Sequence, residues 1–161
     1  MIRLDKAQEI ISKHQSKWPV PVVKIARDMG LEVFTVKDWP KELSGKLTKE
    51  ENGFVIYINA DHSKVRQRFT IAHEIAHFVL HSNLIKDEII DDALYRSGLT
   101  NLVETQANSY ATDILMPWDL VNEAIRQNIE TIETLAEVFN VSNSAMSIRL
   151  GVPFESKVVY P

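Results

Sequence analysis

Cysteine is absent from this chain of 161 residues. That excludes disulfides and thiolate metal ligands, and it suits a reducing compartment. A long hydrophobic run is missing too. The most apolar stretch, Ile71 to Leu80, is interrupted by His73, Glu74 and His77 and is too short to cross a bilayer. The N-terminus turns charged at once, at Arg3, Asp5 and Lys6, so no secretory signal is expected. Nor is there a strong excess of one charge sign. The formal net charge of −4 gives no global attraction to nucleic acid or to an anionic membrane. Repeats and low-complexity tracts are lacking as well. These absences point to a cytoplasmic globular protein with neither a membrane nor a direct nucleic-acid partner.

What is present is an ordinary globular balance, and a chain of this length can bury a sizeable core unaided. Leu4 to Lys17 reads as a helix broken by Pro19 and Pro21, and Val22 to Met29 as a second helix stopped by Gly30. Leu31 to Val36, Ser44 to Lys49 and Phe54 to Asn59 read as strands, the last two joined by a hairpin whose Asn52-Gly53 pair tolerates positive φ. From Ser63, a plausible N-cap, the period turns helical as far as His81. The polar stretch 82–100 reads as a loop with a possible helical turn in its middle. Asn101 to Met116 is helical, Pro117 opens a helix to Gln127 at its first position, and Thr131 to Phe139 and Ser142 to Leu150 make a last helical pair. The fold class is α+β: a small antiparallel or mixed sheet against a central helix, then a helical C-terminal part. Residues 1–127 form the expected main domain, and 128–161 a helix-turn-helix-like appendage packed on it.

His73-Glu74-Ile75-Ala76-His77 is an H-E-x-x-H sequence. On a helix, positions i and i+4 differ by about 40° in azimuth and about 6 Å along the axis, so two imidazoles reach one metal ion. Zinc accepts imidazole nitrogen and prefers four ligands. A glutamate beside the first histidine can take a proton from water that the metal has made acidic. The competing reading is a helix with surface histidines. Against it, Val65, Phe69, Ala72, Ala76, Val79 and Leu80 fill one arc of the helix, and Ile71, Ile75 and Phe78 a second. Only a narrow arc with Arg66, Thr70, His73, Glu74, His77 and His81 is polar. A helix this apolar is buried, and buried imidazole and carboxylate need partners.

A catalytic zinc needs one more protein ligand, here His, Glu or Asp. Glu104, on the next strong helix, is the best placed. Asn108 follows it at i+4 and could accept a ring N–H from a ligating histidine, although a solvated helix residue is an equal reading. Asp113 lies too far along that helix, Asp91 and Asp92 read as solvated loop charge, and His81 reads as a supporting or structural residue one turn beyond the pair. His62, Tyr95 and Arg96 are candidate oxyanion donors.

Arg66 to His81 resembles the active-site helix of the ImmA/IrrE family of metallo-endopeptidases. Glu104-Thr105-Gln106-Ala107-Asn108-Ser109-Tyr110-Ala111 with Ile114-Leu115-Met116-Pro117 is similar to the family's second motif. Val20-Pro21-Val22, Ile25-Ala26 and Leu135 to Ser142 also fit. Departures are Gln106 where the family often has a second glutamate, Tyr110 for a usual Phe and Ala76 for a usual Gly. The resemblance implies a zincin-like fold, Zn2+ held by His73, His77 and Glu104, and Glu74 as general base. It further implies cleavage of a specific cytosolic protein, a helix-turn-helix transcriptional repressor. A non-catalytic zinc-binding regulator and a DNA-binding protein are the alternatives. Residues 117–161 carry more acidic than basic side chains, the basic ones being Arg126, Arg149 and Lys157, which argues against phosphate binding.

Overall fold

In a computed structural model of the chain, which describes residues 2–85, 88–91 and 101–152, the polar arc and the two apolar arcs of one helix organise everything else. That helix is α3, Lys64–His81, preceded by α1 (Leu4–Lys13), α2 (Val22–Asp28), β1 (Glu32–Val36), β2 (Gly45–Glu50) and β3 (Gly53–Asn59). It is followed by a 3-10 turn (Ser82–Leu84), β4 (Glu88–Asp91), α4 (Asn101–Leu115), α5 (Trp118–Arg126), α6 (Ile132–Phe139) and α7 (Asn143–Leu150). The sheet is mixed, in the order β1-β3-β2-β4, with β1 parallel to β3 and the other pairs antiparallel. The fold is therefore α+β, with a small mixed sheet packed on the H-E-x-x-H helix as expected. Among the described residues no helix is long and apolar enough to cross a membrane.

Local chemistry sets the entry to α3. Ser63 caps it by accepting from the Arg66 N–H. Gln67 donates to the carbonyls of Ala60 and His62, closing the turn from β3. Asn59, 1% exposed, donates to the carbonyls of Pro40 and Leu43 and so pins the segment leading into β2. One apolar face of α3 meets the sheet, where Phe78 packs edge-on against Phe54 at 5.1 Å between ring centroids. One apolar cluster runs from Ala7 and Ile11 through Leu47, Ile56 and Ile75 to Met146.

Four expectations are corrected. The first helix ends at Lys13, not Lys17, because His14 turns to bond Asp28 at 2.6 Å and Gln15 donates to the carbonyls of Asp113 and Ile114. In the hairpin Glu50 pairs with Gly53, so Glu51-Asn52 forms the turn and only Gly53 takes positive φ, at 129°. The 82–100 stretch contains a strand: β4 pairs with β2, Gly45 opposite Asp91. Its pairing is non-local, so the polar local sequence concealed it. Pro117 is the N-cap of α5 rather than its first helical residue.

Arg68 works on the side of α3 away from the polar arc. Its Nε donates to the Asn140 carbonyl at 3.1 Å, and its Nη2 to the carbonyls of Val20 at 2.9 Å and Phe139 at 3.4 Å. One guanidinium thus joins the segment before α2, the central helix and the end of α6. Trp18 and Phe139 lie beside it, their rings tilted by 35° with centroids 5.8 Å apart. Arg68→Met keeps the apolar stem but strands those carbonyls. Because bonds from a charged donor are worth more than neutral ones, the expected loss is about 2 kcal/mol. Urea unfolding should show a lower midpoint with an unchanged slope.

Candidate metal centre

The three candidate ligands converge. His73 and His77 project from successive turns of α3, their rings nearly perpendicular with centroids 4.6 Å apart. Glu104, in the first turn of α4, reaches both: Oε2 lies 3.2 Å from His73 Nε2, and Oε1 lies 3.1 Å from His77 Nε2. One ligand atom from each residue falls within 4.8 Å of the others. All are buried, with His73 7%, His77 0% and Glu104 8% exposed.

His77 Nε2 and Glu104 Oε1 face each other across 3.1 Å, and with His73 Nε2 they surround a common point, which is the arrangement of metal ligands. Burial pushes the His77 imidazolium down against the opposing pull of Glu104, which favours the neutral ring that a metal needs. Burial alone would raise the Glu104 carboxyl; hydrogen bonds and charge from His73 and His77 outweigh it and hold the group far below the usual carboxylate range. Two imidazoles and one carboxylate are the donor set of a hydrolytic zinc site, three ligands with one position left for water or substrate. The residues present therefore fit a metal ion.

Glu74 is fully buried, and neither carboxylate oxygen makes a hydrogen bond among the described residues. A carboxylate so placed is costly unless something in the cleft meets it. The strand passes close to this part of α3 because residue 45 is glycine. A β-carbon there would stand 2.6 Å from Thr70 Cγ2, 3.0 Å from the Tyr57 carbonyl oxygen and 3.6 Å from Glu74 Oε1. Sequence reasoning passed over Gly45, although a lone glycine inside a strand is a signal of close approach.

Asn108 does not serve the ligating histidines. It is exposed and lines a groove of about 630 Å³ with Phe69, Val141 and Ile148. The neighbour behind His77 is instead His81, Nδ1 to Nδ1 at 3.0 Å, and His81 Nε2 in turn meets Gln106 Oε1 at 2.9 Å. His81 therefore has the supporting position anticipated for it. Gln106 was missed because two residues past Glu104 is a different face of α4. His62 is occupied elsewhere, its Nε2 at 2.9 Å from the Lys41 carbonyl. Tyr95, Arg96 and Asp92 lie outside the described residues, and of Asp91 only the strand backbone is described.

Comparison with known proteins agrees with this geometry. Residues 26–151 match the peptidase M78 family, described as the IrrE N-terminal-like domain. The chain is 38% identical over 96 residues to the radiation response metalloprotease IrrE of Deinococcus radiodurans, which is 58% of this chain and 28% of that protein. The same protein of Deinococcus deserti is 36% identical over 86 residues, 52% of this chain and 30% of that one. Metallopeptidase ImmA of Bacillus subtilis is 25% identical over 149 residues, covering 90% of this chain and 82% of ImmA. The chain thus spans under a third of the two Deinococcus proteins but most of the Bacillus one. A Mycobacterium tuberculosis transcriptional regulator shares the fold, with a TM-score of 0.65 at 18% identity over 92% of this chain and 46% of that one. Taken with the two histidines and the glutamate gathered by α3 and α4, a match across most of the chain means that this protein belongs to the ImmA/IrrE family of metallopeptidases.

Proposed function

We propose that this chain is a zinc-dependent endopeptidase that cuts a specific cytosolic protein, a helix-turn-helix transcriptional repressor. The observation that carries the hydrolytic reading is the buried convergence of His73, His77 and Glu104 beside a buried carboxylate, Glu74, that has no hydrogen bond to the described residues. His73, His77 and Glu104 hold the ion. When bound, zinc supplies Lewis acidity toward a carbonyl and makes a neighbouring water acidic. Glu74 receives the proton of the attacking water on a carboxylate oxygen and delivers it to the amine nitrogen as the C–N bond breaks. The apolar walls of α3 keep bulk water from these charges and so strengthen each electrostatic contact.

The repressor as substrate class rests on the family likeness alone, which is weaker ground than the site. The DNA-binding alternative has less support. Arg149, the basic residue of α7, donates to the Met116 carbonyl at 2.8 Å, pairs with Asp113 at 3.0 Å and lies over the Trp118 ring at 4.7 Å. It is committed to the protein rather than offered to phosphate.

Two outcomes are expected. Glu104→Ala leaves two imidazoles, so the purified protein should lose its zinc on dialysis where the wild type retains one equivalent. Elemental analysis reads this, and equal retention would mean that another residue completes the set. Glu74→Gln should keep fold and metal but lose activity by at least about 100-fold, since an amide cannot accept the proton. The assay pairs wild type and variant on a repressor encoded beside the enzyme and on casein. A single zinc-dependent cut in the repressor with casein intact supports the proposal, whereas rapid cleavage of casein at many sites would replace it with a general protease.

A further inference from the structure

We propose that His81 and Gln106 are positioning residues for the metal, fixing the tautomer of His77 so that its Nε2 lone pair faces the ion. This rests on the reading of His77 as a ligand. A neutral imidazole carries one N–H, and its two nitrogens face different neighbours here. Nε2 of His77 points to Glu104, and Nδ1 lies 3.0 Å from His81 Nδ1. For Nε2 to offer its lone pair, the proton must sit on Nδ1 and be donated to His81 Nδ1. His81 then carries its own proton on Nε2, 2.9 Å from Gln106 Oε1, which accepts it. Every link in this direction joins one donor to one acceptor.

The chain also has a wrong direction. If the Gln106 amide were turned round, its NH2 would donate to His81 Nε2. The His81 proton would move to Nδ1 and be donated to His77 Nδ1. His77 would then be protonated on Nε2, and a proton would fill the place of the metal. With its side-chain oxygen toward His81, residue 106 therefore matches the ligating tautomer two side chains away. The geometry follows from α3 itself. His73, His77 and His81 recur every four residues, but only the first two reach Glu104, and the third is left to face Gln106. A glutamate at 106 would fix the direction outright, because a carboxylate has no donor side.

The test is zinc affinity, measured by chelator competition on the full chain, with the melting temperature of each metal-free variant recorded alongside. His81→Phe keeps a ring but removes the acceptor. Gln106→Leu removes the end of the chain at an exposed position, so it does not depend on tolerance of a core change. Both should weaken zinc binding, within about 10–100-fold as such supporting contacts do, with His81→Phe the larger effect. Gln106→Glu should bind at least as tightly as wild type. If Gln106→Leu binds like wild type, or Gln106→Glu weakens binding as much as Gln106→Leu, the positioning role is wrong. If wild type and Glu104→Ala bind zinc equally poorly, the metal-site reading itself fails, a result distinct from loss in Glu104→Ala alone.

Discussion

Everything in this protein depends on burying a polar stripe inside an apolar helix. His73, Glu74 and His77 are withdrawn from water along one arc of α3, while Ile71, Ile75, Phe78 and Val79 fill the rest of its surface. Desolvation on this scale opposes folding unless each polar atom meets a counterpart. The surrounding elements supply them unevenly. α4 brings Glu104 to the histidines, and His81 and Gln106 take up the far nitrogen of His77. Neither Glu74 oxygen has a hydrogen-bond partner among the described residues. The stability given up at that buried carboxylate is offset by the apolar faces.

The same helix is held from behind. Arg68 ties α3 to backbone carbonyls before α2 and at the end of α6, so the rod carrying the histidines is fixed on the side opposite the chemistry. On the sheet side Asn59 and Gln67 close the turn into α3. The backbone that carries His73 and His77 is thus anchored on two flanks, the condition for candidate ligand atoms to stay within about half an ångström of a productive geometry.

Much of this was legible in the sequence. The periodicity of 63–81 gave the helix, its cap and its polar arc, because hydrophobic patterning is a local signal and α3 obeys it throughout. The convergence of His73 with His77 followed from spacing, and the choice of Glu104 as a candidate third donor from its place on a strong neighbouring helix. What escaped notice depended on contacts distant in sequence. β4 is a strand only because β2 lies beside it. The choice of His81 and Gln106 over Asn108 turns on how α4 is rotated against α3, which no pattern within either helix specifies. The end of α1 was likewise decided by Asp28 and by the carbonyls at the end of α4.

Gly45 has a consequence for how this sequence can change over generations. Thr70 Cγ2 would lie 2.6 Å from a β-carbon at residue 45, so the two positions cannot drift independently. Serine at 70 would remove the obstructing methyl and retain the hydroxyl that donates to the Arg66 carbonyl. From that background a β-carbon at 45 no longer meets the methyl, and only the Tyr57 carbonyl oxygen at 3.0 Å has to give way. The viable mutational path has an order: the helix residue must shrink before the strand residue grows. The opposite order passes through an intermediate in which a strand β-carbon presses on the Thr70 methyl of the helix that carries Glu74.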